Sequence, residues 1–180
     1  MRELDLKSIY TKENIDFIST ASDYCLFLEK VKSKTKKEVV ERLLLLLSQL
    51  YFHASIIDTN FKYSTKNILL EEYVKEQDYN YIRENLLTIF KEDDAYLDVF
   101  NEDMKYSDTP IIKSISEDLA DIYQDLKNCI WIFSKGNNET SQEAINEVCS
   151  LFEIHWGEKL VCSLQALHHI KYNDQTSIFD

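Results

Sequence analysis

The sequence predicts an all-α fold: one domain over residues 1–180, built as a single bundle of five main helices plus one or two short ones. Three observations carry that expectation. Glycine and proline number two and one among 180 residues, where the pair ordinarily supply about 12% of a chain; strand-rich folds need frequent turns, and turns need those two residue types. Apolar residues recur at three- and four-residue spacing in long runs. Two runs open with a hydroxyl and a carboxylate three residues apart, Thr35-Lys36-Lys37-Glu38 and Thr140-Ser141-Gln142-Glu143, the pattern of a capping box.

The first helix is expected from Lys12 to Lys32, capped by Thr11, with Ile15, Ile18, Ser22, Cys25 and Leu28 along one face. A link rich in lysine (Lys30, Lys32, Lys34, Lys36, Lys37) reads as a solvated turn. The second helix runs from its capping box to Ile57. Its stripe of Leu43, Leu46, Leu47, Leu50, Ala54 and Ile57 is widened by Leu44, Leu45, Tyr51 and Phe52, so it is expected in the middle of the bundle. Residues 58–77 read as a loop with a short helix around Leu69 to Val74. The third helix runs from Asp78 to Lys91, with Tyr79, Ile82, Leu86 and Phe90 inward. The connector Glu92 to Asp108 holds seven carboxylates and one base, Lys105, and its cluster Tyr96 to Phe100 suggests a short packed helix. Thr109 as cap and Pro110 at the first position start the fourth helix, and Gly136 suits its left-handed end. The fifth runs from its capping box to Ile170 with Gly157 inside; a mid-helix glycine costs about 1 kcal/mol and marks either a break or a close backbone approach.

Composition narrows the function. A net charge of -12, from 20 basic and 32 acidic residues, repels phosphate backbones and argues against nucleic acid as a partner; basic proteins or cations are the natural company. Met1 to Asn14 carries charge throughout and has no apolar segment of a signal peptide. The apolar run Leu43 to Leu47 is five residues long, against about 20 for a membrane span. The expectation is a cytoplasmic protein with no membrane contact. Cys25, Cys129, Cys149 and Cys162 lie far apart among apolar residues and read as small buried hydrophobes, without the close spacing of a zinc site. No G-x-S-x-G, glycine-rich phosphate loop or Walker lysine occurs. His53 shares a face with Leu46, Leu50 and Ile57 and reads as a hydrogen-bonded core histidine. His155 precedes Glu158 by three positions, a metal-ligand spacing, but the E-x-x-H order of di-iron bundles is missing. His168-His169 suits a helix C-terminus, where a cation meets the dipole favourably. Among eleven tyrosines and nine phenylalanines, Phe61, Tyr63, Tyr73, Tyr96, Phe100 and Tyr106 fall in loops, where they pack onto the bundle or offer contact area to a partner.

The sharpest feature lies on the fourth helix. Glu117, Asp118, Asp121 and Asp125 fall within roughly a 100° arc, opposite Ile115, Leu119, Ile122, Leu126, Cys129 and Phe133. Ser114 and Asn128 join the arc; no lysine or arginine of the helix does. The pairs Glu117–Asp121 and Asp121–Asp125 each oppose helix formation by about 0.2–0.5 kcal/mol. The plain reading is a solvated acidic face. The chemical one is a set of four carboxylate ligands, Glu117, Asp118, Asp121 and Asp125, for Mg²⁺ or Mn²⁺ bridging to a phosphate.

Glu117-Asp118-Leu119-Ala120-Asp121 resembles the second acidic motif of the all-α NTP pyrophosphohydrolases, whose paired helices hold Mg²⁺ against a nucleoside triphosphate. Their earlier E-x-x-E is matched only by Glu38-Val39-Val40-Glu41, far upstream and with Glu38 in a capping role. A second resemblance rests on Glu102-Asp103-Met104-Lys105-Tyr106-Ser107-Asp108, on Ser116 to Asp125 and on Trp156-Gly157-Glu158-Lys159-Leu160. Over about Asn14 to Ile170 these are similar to a family of small helical bacterial proteins of the DUF5063 type, a domain of unknown function. That resemblance implies a stand-alone helical, cytoplasmic bacterial protein and lends no functional residue. Two expectations result. The first is a non-catalytic interaction module without cofactor, meeting a protein partner through the acidic, tyrosine-containing surface of residues 92–125. The alternative is a divalent-metal-dependent hydrolase of a phosphorylated small molecule.

Overall fold

Thr11 opens the first helix, its hydroxyl accepting from the Asn14 N–H at 3.2 Å, and Thr35 opens the second through the expected capping box, with Glu38 returning to the Thr35 N–H at 2.8 Å. The computed structural model describes residues 9–57, 70–98 and 111–173. In chain order these form α1 (Lys12–Glu29), a 3-10 turn (Val31–Ser33), α2 (Lys36–Ile56), α3 (Glu76–Phe90), a 3-10 turn (Lys91–Asp94), β1 (Ala95–Asp98), β2 (Ile111–Ser114), α4 (Ile115–Ser134), α5 (Asn138–Leu151), a π turn (Phe152–Trp156) and α6 (Gly157–Asn173). The fold is all-helical, with a two-stranded antiparallel ribbon that pairs Ala95 with Ser114 and Leu97 with Ile112. The π turn joins α5 to α6 without a loop, so the two continue as the fifth helix of the bundle.

The middle of the bundle is α4, not the more apolar α2. Helices α1, α3, α5 and α6 all pack on α4, whereas α2 packs on α1 and α6. Hydrophobicity all round does not imply burial all round: Leu45 is 61% exposed and Phe52 58%. By length and composition α2 is also the one helix among the described residues apolar enough to cross a membrane. The inward face of α1 is likewise rotated from the expected stripe. Phe17, Ala21, Tyr24, Cys25 and Leu28 are buried while Ile15 is out, because Tyr24 reaches across to donate to the Leu119 carbonyl of α4 at 2.8 Å. Trp156 stacks on Phe17 and donates its indole N–H to the Val148 carbonyl at 2.9 Å.

Three further expectations change. Residues 95–98 are a strand rather than part of a short helix, since Asp94 ties the segment to Ser116. Ile111–Ser114 are the partner strand, so α4 starts at Ile115 under the cap of Ser114; Thr109 and Pro110 lie outside the described residues. Helix α5 starts at Asn138 under Asn137, whose side chain accepts from Glu139 and Thr140 N–H groups, leaving Thr140 inside the helix. Residues 70–75 are not helical, and 58–69 lie outside the described residues. His53 is half-buried and its Nδ1 has no hydrogen-bond partner. All four cysteines are buried and free, as expected, and burial pushes the Cys25 and Cys129 thiols well above their usual range.

Candidate functional site: the acidic face of α4 and the cleft beside it

Helix geometry alone puts Glu117, Asp118, Asp121 and Asp125 on neighbouring positions, and the structure gives each at least one partner, Asp118 and Asp121 sharing Lys159. Arg83 of α3 lies 3.6 Å from Glu117, which is mostly exposed. Tyr96 of β1 donates a short hydrogen bond to Asp118, a residue only 3% exposed. Asp121 accepts from Tyr79 of α3 at 2.8 Å and from Lys159 of α6 at 2.7 Å. The same Lys159 ammonium stands 3.5 Å from Asp118. Asp125 pairs with Nδ1 of His155 at 2.8 Å.

The electrostatics follow from burial and pairing. Burial raises the Asp118 carboxyl above its usual value, opposed by the Tyr96 hydrogen bond and by Lys159. Burial likewise raises Asp125, opposed by His155. For Lys159, burial works against the charge, but Asp121 and then Asp118 outweigh it and hold the ammonium above its ordinary value. Lys159 thus pairs with Asp121 and stands beside Asp118, two of the four carboxylates that the hydrolase reading offers to a metal ion. Among the described residues no three His, Cys, Asp or Glu side chains come together as a ligand set, and Glu38 of the upstream E-x-x-E is engaged at its cap.

The π turn produces half of this arrangement. Its wider ring rotates the chain so that Trp156 enters the core while His155 meets α4, one residue earlier. Gly157 follows because a Cβ there would lie 2.2 Å from the Phe152 carbonyl oxygen and 2.9 Å from its ring. Of the two sequence expectations for this glycine, the break holds; the backbone it admits is the preceding π turn of its own chain, not another element.

Beside the paired acids a cleft of about 740 Å³ opens between α4, α5 and the segment Leu70–Glu72. Asn128 builds its wall: its Oδ1 accepts from the N–H groups of both Tyr73 and Val74 at 2.9 Å, pinning that segment across α4. Glu71, Glu72, Asp125, Glu143 and Glu147 line the cleft, with Cys129, Ile132 and Val148 among its apolar members and, among the described residues, no lysine or arginine. Glu147 is raised by burial first, then by the charges of Asp125, Glu143 and Glu72, the signature of crowded anions. A smaller hollow of about 380 Å³, shared through Glu72 and Gln124, extends the cleft toward Tyr79 and Asp121 and is lined also by Lys75, whose ammonium donates to the Glu72 carbonyl at 2.7 Å.

Of the four predicted carboxylates, the cleft therefore contains only Asp125. Sequence reasoning missed Glu71, Glu72, Glu143 and Glu147. A signal existed for the last two, an i,i+4 like-charge pair on α5 of the kind noticed on α4; for Glu71 and Glu72 there was none, because only tertiary folding brings that segment to α4.

Residues 8–173 match a family described only as a domain of unknown function, DUF5063. The crystal structure of protein BF1032 from Bacteroides fragilis, a structural-genomics target, is 36% identical, with a TM-score of 0.81 over 92% of this chain and 96% of that one. No curated protein matches the chain. With the match running from four residues before α1 to the last residue of α6, the chain belongs to the DUF5063 family.

Proposed function

We infer that this protein is a non-catalytic interaction module whose α4–α5 cleft receives a basic, amphipathic segment of a partner protein. The observation that carries the reading is the cleft's lining: five carboxylates and, among the described residues, no lysine or arginine, around an apolar floor. Such a surface suits lysine or arginine side chains at the rim and an aliphatic anchor beneath, and it attracts them from a distance. The reading moves the contact surface away from residues 92–125. There, Tyr96 has committed its hydroxyl to Asp118, and Asp118 and Asp121 share the Lys159 ammonium.

The test is calorimetric titration with a hexapeptide of alternating lysine and leucine, beside an alternating glutamate and leucine control. The lysine peptide should bind, the control should not, and binding should weaken steeply with salt, because rim contacts are screened beyond a Debye length of about 8 Å at physiological ionic strength. Glu143→Lys/Glu147→Lys should abolish it. Equal binding of both peptides, or full binding by the charge-reversed variant, would refute the reading. Unfolding temperature is measured alongside, with and without Mg²⁺ or Mn²⁺. A metal-specific rise lost in Asp118→Ala/Asp121→Ala, together with phosphate release from nucleotides, would favour the hydrolase instead.

A further inference from the structure

Helix α2 buries one side and leaves an apolar row bare on the other. Residues 43–57 hold no Asp, Glu, Lys or Arg, in a chain that is 29% charged. The side packed on α1 and α6 buries Leu43, Leu46, Leu47, Leu50 and Ala54. The outward row is Arg42, Leu45, Gln49, Phe52 and Ile56, every one exposed, Leu45 and Phe52 by more than half. Their spacing of three, four, three and four residues is the one along which a second helix lies with its side chains meshed. The polar members, Arg42 and Gln49, are of the kind that fix register in such a pair. We propose that this row of α2 pairs with the same row of a second copy, the two helices running antiparallel about a twofold axis near Gln49.

Charge selects both the surface and the direction. Two copies of a chain with a net charge of -12 repel each other, and the repulsion is least where the facing surfaces are uncharged, as over residues 43–57. Lys32, Lys34, Lys37 and Arg42, all exposed, stand at the N-terminal end of α2 and outnumber Glu38 and Glu41 there. Parallel pairing would set these cations against their own counterparts. Antiparallel pairing sets them beside the C-terminal end of the other helix, where the last carbonyls carry partial negative charge. It also brings Arg42 toward the ring of the partner's Phe52, a contact that guanidinium groups favour.

Size sets the strength. Helix α2 has 21 residues and is about 32 Å long. Pairing two such helices buries on the order of 1,000 Å² in total, the low end for a specific interface. Tyr51, whose ring meets Phe152 of the π turn edge-on at 5.3 Å, widens the apolar margin. The dimer is therefore weak, with a micromolar dissociation constant.

Sedimentation equilibrium of the native chain between about 5 and about 500 μM should show monomer passing into dimer. Leu45→Lys/Phe52→Lys should weaken association about tenfold or more by burying unpaired charge, with an unchanged circular dichroism spectrum because both side chains are exposed. Gln49→Glu, which sets two carboxylates together at the axis, should weaken it in the same direction. Orientation is read with a short bismaleimide, the native chain serving as blank because its four cysteines are buried. Gln49→Cys should link to its own copy. Arg42→Cys and Ile56→Cys should each fail alone and link when mixed, since about 21 Å of helix separates the two positions. A native chain monomeric throughout, variants that dimerise as the native chain does, or ready linking of Arg42→Cys to itself would overturn the proposal. So would a monomer that co-sediments with phosphatidylglycerol vesicles, which would assign the row to an anionic lipid surface instead.

Discussion

Two acidic patches sit side by side on this molecule and have opposite fates. On α4, Asp118 and Asp121 are close to Lys159 and to the hydroxyls of Tyr96 and Tyr79. Across the cleft, Glu71, Glu72, Glu143 and Glu147 line one space; the Lys75 ammonium donates to the Glu72 backbone carbonyl, but among the described residues no lysine, arginine or histidine forms an ion pair with their carboxylates. The local patterns are alike: Asp121–Asp125 and Glu143–Glu147 are both like-charge pairs at i,i+4. What differs is the neighbouring element. The π turn and α6 bring a lysine to one patch, and the segment at residues 70–74 brings two more glutamates to the other. An acidic helix face is therefore no guide to a site until the facing element is known: the paired patch is held within the fold, and the open one is the surface proposed to bind a partner.

Breaking the paired side should cost most. Lys159→Ala leaves the buried Asp118 without its cation, and loss of one partner from a buried pair costs about 3 kcal/mol, read as a lower urea midpoint at unchanged slope. Gly157→Ala should follow at about 2 kcal/mol, typical of inserting a methyl where none fits. It also displaces His155 and Lys159 from α4, so the His155 imidazole signals should shift in NMR spectra. Tyr96→Phe removes a donor from Asp118 and should cost about 1–2 kcal/mol, the penalty of an under-satisfied buried acceptor, visible as a lower unfolding temperature.

Acidity sharpens the comparison further. Asp118 is raised in the folded state, so the native fold binds its proton more readily than the unfolded chain does. Its contribution is then most favourable below the unfolded carboxylate value and is lost as pH rises through the folded one. Relative to Asp118→Asn, the native chain should therefore gain stability as pH falls from neutrality into the carboxylate range, measured by denaturant unfolding at each pH. The smallest effect belongs to the open patch. Glu143→Gln/Glu147→Gln removes repulsion without removing a partner and should leave stability unchanged or raise it by about 0.3 kcal/mol, even while peptide binding collapses. Should that double variant destabilise the fold as Lys159→Ala does, the distinction between the patches would fail.

The rules that made helices legible are local ones. Thr11 and Thr35 each accept from an N–H three residues on, and Gly136 adopts the positive φ of 71° that only a residue without a Cβ takes cheaply. Such signals lie within one turn of chain and survive any tertiary arrangement. The strands at 95–98 and 111–114 were illegible because their pairing joins segments separated by a connector rich in carboxylates, and nothing local distinguishes a four-residue ribbon strand from a helix start.

By itself, then, the sequence determined the all-helical class, the starts of α1 and α2, the end of α4, and the shared face of Glu117, Asp118, Asp121 and Asp125. Tertiary structure alone decided that α4 rather than α2 is central, which acids find a cationic partner, and that Glu71 and Glu72 line one cleft with Glu143 and Glu147. The reason is range. Backbone capping and helical periodicity act over three or four residues, whereas the field at a carboxylate depends on whatever charge folding brings within a few ångströms, here Lys159 from 38 positions beyond Asp121.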